Sequence, residues 1–308
     1  MPNKIWVLGD AVVDLIPDGD MHYLKCAGGA PANVAVGVAR LGVPSAFIGR
    51  VGKDPLGEFM QQTLRNEAVD TDYMYLDPDH RTSTVVVGLD KGERSFTFMV
   101  NPSADQFLSV SDLPEFKTGE WLHCCSIALI NEPTRTATLT AMKNIRAAGG
   151  KVSFDPNLRE SLWKPQAEMI EVVNQAVALA DVLKFSEEEL TLLTGTNTLE
   201  EAFEKVTALY PEKLIIVTMG KDGALFNLNG HSEIVAGKAL QPVDTTGAGD
   251  AFVGGLLAGL SLNDNWQTLD VLKQIIRQAN ACGALATTAK GAMSALPNQQ
   301  QLNAFLAN

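Results

Sequence analysis

Short apolar runs alternate with longer segments of helical periodicity along most of the chain, and this alternation limits the possible folds more than any other feature of the sequence. Apolar runs occupy residues 5–8, 46–50, 120–126, 152–155, 182–185 and 214–218. Segments with apolar residues at helical spacing occupy residues 32–41, 57–67 and 134–148. Strands that alternate with helices form a parallel sheet with helices packed on it. We therefore predict an α/β protein whose sheet is mostly parallel.

Two stretches interrupt this alternation and are predicted to form antiparallel hairpins, at residues 14–26 and 82–100. The second is rich in β-branched and aromatic residues on both sides of Asp90-Lys91-Gly92, which is a turn signal. We expect the hairpins to form a small side sheet that covers a ligand or pairs with a second subunit. No repeat or linker divides the chain, so we expect one domain over residues 1–308, with a lid formed by about residues 14–27 and 82–101.

The composition excludes several classes of partner. Hydrophobic residues make up 46% of the 308 residues and charged residues 19%, which allows a large buried core. The formal net charge is −12 and no lysine- and arginine-rich run offsets it, so we expect no binding to nucleic acid or to anionic membranes. No apolar run approaches the ~18 residues of a transmembrane helix, and the N-terminus lacks the pattern of a signal peptide.

The four cysteines, Cys26, Cys124, Cys125 and Cys282, do not have the spacing of a zinc site or of a C-x-x-C motif. His123, beside two of them, has no second pair of ligands at zinc spacing. We interpret the cysteines as reduced thiols that fill the core. A cytoplasmic protein is expected.

The run DTTGAGD at residues 244–250 carries the strongest chemical signal in the sequence. Gly247 and Gly249 lead into a long apolar segment, and a glycine-bearing turn that enters a helix exposes unpaired N–H groups at the positive end of the helix dipole. We predict that the backbone amides of Gly247, Ala248, Gly249 and Asp250 form an anion hole for a transferring phosphoryl group. The Asp250 carboxylate would lie beside them in the first helical turn, where it can take a proton from an attacking hydroxyl.

Other interpretations of this pattern lead to different classes of protein. A tight turn with an N-capping aspartate would explain a lone G-x-G-D, but the longer run is more specific. A nicotinamide-dependent oxidoreductase would need G-x-G-x-x-G after the first strand, and Gly9-Asp10 is followed by no such set of glycines. A catalytically silent sugar-binding protein is a further alternative; it could lose its catalytic aspartate, whereas Asp250, Gly247 and Gly249 are all present.

The sequence resembles the PfkB or ribokinase family of carbohydrate and nucleoside kinases along essentially its whole length. Residues 244–252, DTTGAGDAF, match the C-terminal signature of that family. GGAPAN at residues 28–33 and GRVGKDPLG at residues 49–57 match its N-terminal signature. The resemblance implies a ribokinase-like three-layer α/β/α sandwich with a small β-sheet lid, and an enzyme that phosphorylates a hydroxyl group with ATP.

The same resemblance implies an acceptor pocket near the end of the first strand. Asp10 and Asp14 are expected to accept hydrogen bonds from sugar hydroxyls, in the crevice where open α/β sheets bind ligands. Further substrate contacts are implied for Gly28, Gly29, Asn33, Phe96, Phe98, Asn157 and Arg159. The glycines would allow close approach of the backbone, and the phenylalanines would close an apolar wall from the lid. Arg159 would clamp a hydroxyl or neutralise phosphate charge, unless it forms an ion pair with Asp155 or Glu160.

The nucleotide contacts that the resemblance implies are Lys184, Thr218, Gly220, Gly223, Gly247, Gly249 and Asn280. In the Asn-x-x-Glu motif of the family the glutamate holds Mg²⁺ through water, consistent with the tightly held hydration shell of this ion. Glu189 occupies the glutamate position, whereas Ser186 replaces the asparagine. Serine still offers a hydrogen-bond donor and acceptor, so we expect function to be kept, with ATP and Mg²⁺ as cofactors.

Relatives also bind a monovalent cation between the C-terminal signature and a later loop. The matching residues here are Asp244, Thr246, Ala286, Ala289 and Gly291, and they imply a K⁺ site. Ribokinase carries a serine four residues after that glycine. This chain has Ala295 there, so one side-chain ligand of the cation would be absent.

Within the family, several segments are similar to bacterial fructokinases of sucrose-utilisation systems. They include residues 6–14, 28–33, 92–100 and 153–157. We therefore expect D-fructose as the substrate and fructose 6-phosphate as the product. Aminoimidazole riboside kinase is similar along much of the chain, including residues 288–293, and a ribokinase-type kinase is a further alternative. Because hairpins of this kind often pair between subunits in the family, we also expect a homodimer formed through the lid.

Overall fold

Strands in the described part of the chain form one sheet of nine strands and another of four. The structure is a computed structural model that describes residues 3–90, 93–163, 165–238 and 240–307, and for residues 89, 90, 93–96 and 166 it describes the backbone alone. The strands are β1 (Ile5–Leu8), β2 (Val12–Pro17), β3 (Tyr23–Gly28), β4 (Ser45–Gly52), β5 (Asp70–Asp77), β6 (Thr84–Asp90), β7 (Glu93–Met99), β8 (Trp121–Cys125), β9 (Lys151–Asp155), β10 (Val182–Ser186), β11 (Leu214–Thr218), β12 (Gly223–Leu228) and β13 (His231–Ala236).

The larger sheet has the order β13-β12-β11-β10-β9-β8-β1-β4-β5. Every neighbouring pair from β11 to β5 is parallel, whereas β12 and β13 add an antiparallel hairpin at one edge. The central parallel strands are buried on both faces, which explains their continuous apolar sequences. Because parallel strands end at the same edge, the polar residues that follow β1, β9 and β10 are brought to one side of the sheet.

The helices are α1 (Ala30–Arg40), α2 (Pro55–Asn66), α3 (Thr134–Ala147), α4 (Gln166–Leu179), α5 (Glu187–Thr194), α6 (Leu199–Leu209), α7 (Ala248–Leu262), α8 (Leu269–Ala286) and α9 (Gln299–Ala307). Several begin at a capping side chain. Asp54 caps α2 by accepting hydrogen bonds from the amides of Leu56 and Gly57, and Thr198 caps α6 by accepting one from the amide of Glu201. These side chains satisfy amides that have no acceptor within the helix.

Alternation along β1 divides the hydrophobic core into two layers. Ile5 and Val7 face a cluster that includes α1, α7 and α8, whereas Trp6 and Leu8 face a cluster that includes α3, α4 and α6. All four side chains are buried. Successive residues of a strand point to opposite faces, so one strand packs against both helical layers. The predicted three-layer α/β/α sandwich is confirmed.

The two predicted hairpins form the four-stranded sheet, in the order β3-β2-β6-β7. β2 pairs with β3 and β6 with β7, each antiparallel, and β2 and β6 are parallel neighbours. Asp54 fastens this sheet to the start of α2, because its carboxylate also accepts hydrogen bonds from the amide and hydroxyl of Thr82, just before β6. The small sheet is therefore fixed beside the larger one at Thr82, just before β6.

Two expectations from composition can be compared with the fold. Cys124, Cys125 and Cys282 are buried free thiols, as predicted, whereas Cys26 is a free thiol on β3 that is partly exposed and does not fill the core. None of the helices formed by the described residues is both long and apolar enough to cross a bilayer.

Candidate active site

A cavity of about 610 Å³ opens at the carboxyl edge of the larger sheet, facing the small sheet. Its walls come from the loops after β1 and β9, from the start of α7, and from strands β2, β6 and β7. The predicted site residues that line it are Asp10, Asp14, Gly29, Asn33, Phe98, Asn157, Arg159, Thr246, Gly247, Gly249 and Asp250. Residues far apart in sequence therefore meet in one cavity of the size that takes a small ligand.

Gly28 and Ala248 do not line this cavity. A Cβ atom at Gly28 would collide with a carboxylate oxygen of Asp14, so glycine there leaves room for that side chain. Ala248 is the first residue of α7, and its amide donates a hydrogen bond to a carbonyl of the preceding turn at 3.2 Å, so this amide already has an acceptor. Phe96 lies outside the residues whose side chains are described, and Phe98 is 38% exposed.

Asp250 lies in the first turn of α7 and is 7% exposed. Asn33 on α1 donates from Nδ2 to Asp250 Oδ2 at 2.8 Å, and Asn157 donates from Nδ2 to the other oxygen, Oδ1, at 3.3 Å. Burial raises the pKa of Asp250, and the Asn33 hydrogen bond and the charges of Lys184 and Arg159 offset part of this effect. The carboxylate is held in one orientation with a raised pKa, and both properties suit proton abstraction.

The start of α7 depends on Gly247, which has a left-handed backbone with φ of 78°. A Cβ atom there would lie 2.7 Å from that of Ala292, so glycine is required for both conformation and space. The helix begins at Ala248, and the amides of Gly249 and Asp250 therefore belong to its first turn, where N–H groups lack acceptors within the helix. The positive end of the helix dipole thus adjoins the cavity.

Two more carboxylates, those of Asp10 and Asp14, face the cavity. Burial and the charge of Asp105 raise the pKa of Asp10 to about 7, although Arg159 opposes this, and burial raises the pKa of Asp14 to about 6. The Oδ1 atoms of Asp10 and Asn33 are buried and have no hydrogen-bond partner in the described part of the structure. Buried acceptors without partners indicate that a ligand with hydroxyl donors fits here.

A buried ion pair lies beside the start of α7. Lys184 Nζ is 3.0 Å from Asp155 Oδ2, and both side chains are almost fully buried. Burial lowers the pKa of Lys184, but the carboxylates of Asp155 and Glu189 outweigh it, so the pKa is raised and the ammonium stays charged. Nζ also lies 3.6 Å from where a Cβ atom of Gly249 would be. A fixed positive charge therefore adjoins the helix terminus, which favours an anion there.

Ser186 and Glu189 form a reciprocal cap at the start of α5. Ser186 Oγ accepts a hydrogen bond from the Glu189 amide at 3.2 Å, and Glu189 Oε2 accepts one from the Ser186 amide at 2.9 Å. Glu189 Oε1 accepts a third, from the Leu158 amide, at 2.8 Å. Each carboxylate oxygen keeps a further lone pair, so Glu189 can also hold a water molecule on Mg²⁺, the indirect contact expected for this ion.

The predicted nucleotide residues Thr218, Gly220, Gly223 and Asn280 lie around the turn between β11 and β12 and do not line the cavity. Gly220 and Gly223 have φ of 55° and 106°, and a Cβ atom at Gly223 would collide with the Val235 carbonyl. Asn280 Nδ2 donates to that same carbonyl at 2.9 Å. The turn is tightly packed at the carboxyl edge of the sheet, and the nucleotide role of these residues stays a prediction.

Asp244 connects the two loops of the predicted cation site. Its Oδ1 accepts hydrogen bonds from the amide and hydroxyl of Thr246, at 3.1 and 2.7 Å, and its Oδ2 accepts one from the amide of Gly291 at 3.2 Å. Ala286 ends α8, and Ala289 lies in the loop that follows. The Asp244 carboxylate is thus held between the signature loop and the loop after α8, and carboxylate oxygens suit a hard cation. The cation role of these residues stays a prediction.

Comparison with known proteins agrees with this geometry. A sequence model of the pfkB family carbohydrate kinases matches residues 2–299. The chain belongs to the pfkB family of carbohydrate kinases.

Individual members of the family are similar to this kinase over their whole length. It is 56% identical to the fructokinase of Vibrio alginolyticus, over 99% of both chains. A double mutant of the fructokinase from Vibrio cholerae O395, in a form with fructose, ADP and potassium ion bound, has a TM-score of 0.93 and 58% identity, over 99% of this chain and 98% of that one. Aminoimidazole riboside kinase from Salmonella enterica, complexed with aminoimidazole riboside and an ATP analog, has a TM-score of 0.93 and 42% identity, over 99% of this chain and 100% of that one.

The cavity of this pfkB-family kinase also contains polar residues that the sequence patterns did not single out. They include Asn101, Asp105, Gln106 and Asn131. These four lie in connections before and after β8, where neither strand nor helix periodicity applies. The run NPSAD, residues 101–105, follows the second hairpin directly, and this position beside the predicted lid is the one signal that could have found it.

Substitution Asn33→Ala is expected to move the acid limb of kcat/KM for sugar phosphorylation to higher pH. Asn33 donates to Asp250 and lowers its pKa, so without this donor the carboxyl keeps its proton up to a higher pH. A base must be ionised to act, and activity is lost as the pH falls through that pKa. The measurement is kcat/KM against pH for the wild type and the variant.

The control for this experiment is Asn303→Ala, at an exposed position of α9, which is expected to leave the limb in place. An acid limb that stays in place for Asn33→Ala, or moves to lower pH, would contradict the assignment of Asp250 as the titrating base.

Proposed function

We propose that this kinase transfers the γ-phosphoryl group of ATP to the primary hydroxyl of D-fructose, which gives fructose 6-phosphate. The observation that carries the proposal is the position of Asp250, an oriented carboxylate of raised pKa at the start of a helix, inside a cavity lined with hydroxyl acceptors. The choice of fructose is supported by the similarity to fructokinases, which is higher than that to the aminoimidazole riboside kinase. Aminoimidazole riboside is therefore the second candidate.

Asp250 is the general base in this mechanism. Its carboxylate takes the proton of the primary hydroxyl as the hydroxyl oxygen attacks the γ-phosphorus in line with the departing oxygen of ADP. Asn33 and Asn157 each hold one carboxylate oxygen, so the base meets the hydroxyl without reorganisation. The raised pKa brings the carboxyl closer to the range in which proton transfer from an alcohol is effective.

The charge of the transferring phosphoryl group is stabilised at the start of α7. The amides of Gly249 and Asp250 belong to the first helical turn, and Lys184 and Arg159 add positive charge nearby. Mg²⁺ on the nucleotide phosphates would supply further neutralisation when bound, and Glu189 would hold it through water. These local charges allow ATP to bind although the net charge of the chain is −12.

The sugar is held by the groups that face α7 across the cavity. Asp10 and Asp14 accept hydrogen bonds from sugar hydroxyls, and such bonds favour the charged form of carboxyl groups whose pKa burial has raised. Asn33 serves two partners, since Nδ2 is bound to Asp250 while Oδ1 is left for a hydroxyl. Gly29 allows the backbone to approach the sugar without a side chain between them.

The loops joined by Asp244 bind K⁺ in this proposal. The carboxylate of Asp244, the Thr246 hydroxyl and the carbonyls of Ala286, Ala289 and Gly291 supply the oxygen donors. The related Vibrio cholerae double mutant was solved with a potassium ion bound. Thr246 also lines the cavity, two residues before the helix start, so an ion held here would help to fix the anion site.

The small sheet, residues 14–27 and 82–101, acts as a lid and as the surface between two subunits of a homodimer. Met21, Tyr23, Leu24 and Met99 are 85%, 56%, 56% and 61% exposed, more apolar surface than one small sheet normally leaves to water. Sedimentation velocity at micromolar concentration is expected to show a dimer, and Leu24→Asp is expected to shift it towards the monomer. A wild-type monomer would contradict this arrangement.

The substrate is tested by an assay of ADP release over fructose, ribose, adenosine, 2-keto-3-deoxygluconate and aminoimidazole riboside. We expect kcat/KM to be highest for fructose. A higher value for aminoimidazole riboside would instead support the second candidate. Replacing K⁺ by Na⁺ in the same assay is expected to lower kcat, and an equal rate in both salts would argue against the cation site.

Substitution Asp250→Asn is expected to lower kcat by at least about 100-fold, as for the loss of a general base, with little change in the binding of ATP or sugar. Asparagine keeps the shape of the side chain but cannot take the proton. Asp264→Asn, at an exposed position after the end of α7, is the matched control and should retain full activity. Turnover near the wild-type level in Asp250→Asn would refute the proposed role.

A further inference from the structure

Asp105 lines the cavity but takes no part in the base, anion or cation functions described above. It lies in a 3₁₀ turn, Ala104–Phe107, and its Oδ1 atom is buried without a hydrogen-bond partner among the residues described. Burial raises the pKa of Asp105 to about 6. A carboxylate oxygen that has lost water and gained no donor is costly, so a ligand that brings a donor would be favoured at this position.

The turn that carries Asp105 is held from two sides. The hydroxyl of Thr134, at the start of α3, donates to the Asp105 carbonyl at 2.9 Å and accepts from the Leu108 amide at 3.0 Å. On the other side the Ala104 amide donates to the Arg81 carbonyl at 2.9 Å, next to Thr82, where Asp54 fixes the small sheet. The backbone at Asp105 is therefore fixed before any ligand binds, and a fixed acceptor discriminates between ligands better than a mobile one.

Asp105 and Asp250 reach the cavity from opposite faces of the larger sheet. Helix α7, which carries Asp250, packs in the same core layer as α1 and α8. The turn of Asp105 is bound to Thr134 of α3, and Leu108 directly after that turn packs in the other layer, with α3 and α4. A ligand that spans the cavity with its reacting hydroxyl at Asp250 therefore presents its other end towards Asp105.

The chemistry of a ketofuranose matches this arrangement. When the hydroxyl on C6 of fructofuranose is at the base, the hydroxyls on C1 and C2 are at the opposite end of the ring. A riboside that reacts through its primary hydroxyl carries a base at its anomeric carbon and has no hydroxyl donor there. The cavity therefore offers a carboxylate acceptor where a ketose has hydroxyl donors and a riboside has none.

We propose that Asp105 is a specificity-determining residue of this kinase, and that its carboxylate accepts a hydrogen bond from the hydroxyl on C1 or C2 of the ketose. The proposal rests on the proposed function as a fructose kinase and names a further contact of that site. A site built to bind a hydroxyl rejects an analogue that lacks it, because its buried acceptor is then left without a donor.

The test compares Asp105→Ala and Asp105→Leu with the wild type on three substrates. These are fructose, 1-deoxyfructose, which lacks the C1 hydroxyl, and 2,5-anhydromannitol, which lacks the C2 hydroxyl. For fructose we expect Asp105→Ala to lower kcat/KM at least about tenfold, mainly through KM, as for a lost hydrogen bond to a charged group. For the analogue that lacks the recognised hydroxyl, the same substitution should change kcat/KM less than about twofold, because the contact is already absent.

Asp79→Asn, at an exposed position outside the cavity, is the control and should behave as the wild type on all three substrates. Equal losses on fructose and on both analogues would overturn the proposal, since they would mean that Asp105 only supports the fold of its turn. No loss on fructose would overturn it as well. Asp105→Leu has about the size of the native side chain and no acceptor oxygen, so it decides the question on the same substrates, with the same expected losses, if Asp105→Ala does not fold.

The failure of this proposal is distinguishable from the failure of the proposed function. If the wild type does not phosphorylate fructose, both fall together. If the wild type phosphorylates fructose and the Asp105 variants do so equally well, only the role of Asp105 is refuted.

Discussion

The contact between α1 and α7 is the constraint on which the catalytic geometry depends. Gly37 lies one turn after Asn33, and Gly254 lies one turn after Asp250; a Cβ atom at Gly254 would be 3.3 Å from the backbone of Gly37. Since neither glycine has a side chain, the two helices approach until Asn33 Nδ2 is 2.8 Å from Asp250 Oδ2. The packing that buries Asp250 and raises its pKa is thus the same packing that supplies the hydrogen bond orienting it. The distance between the two helices and the acid–base properties of Asp250 therefore change together.

The parallel sheet adds a second constraint, because it concentrates charged groups at one edge. Asp10 follows β1, Asp155 ends β9 and Lys184 lies on β10, so three charged side chains converge close to Asp250. Burial raises the pKa of Asp155 to about 7, and Lys184 counteracts this from 3.0 Å. Buried ion pairs add little to stability once the cost of desolvation is counted. The pair is better understood as a means of holding a charged ammonium beside the helix terminus, where the proposed mechanism places the phosphoryl group.

Local patterns were sufficient to predict the layers, since buried strands and amphipathic helices are encoded in consecutive residues. They were insufficient for β5, Asp70–Asp77, an edge strand whose apolar residues are interrupted by polar ones. The meeting of Asn33 and Asp250 could be inferred because both lie in matched family signatures. Asp105 could not be found in the same way, since its place in the cavity depends on Arg81 and Thr134, contacts that no local pattern encodes.

Ser186 replaces the asparagine of the family motif, and backbone donors hold Glu189 without that side chain. An asparagine there could offer a side-chain amide, which serine lacks. Glu189, however, is fixed by two backbone donors, the amides of Ser186 and Leu158, and any residue at position 186 other than proline supplies the first of them. Ser186 adds its own hydroxyl as the reciprocal cap of the Glu189 amide. The position of the glutamate therefore depends on strand β10 and the loop after β9 more than on the side chain at 186. The substitution leaves in place the carboxylate that would hold Mg²⁺ through water in the proposed mechanism.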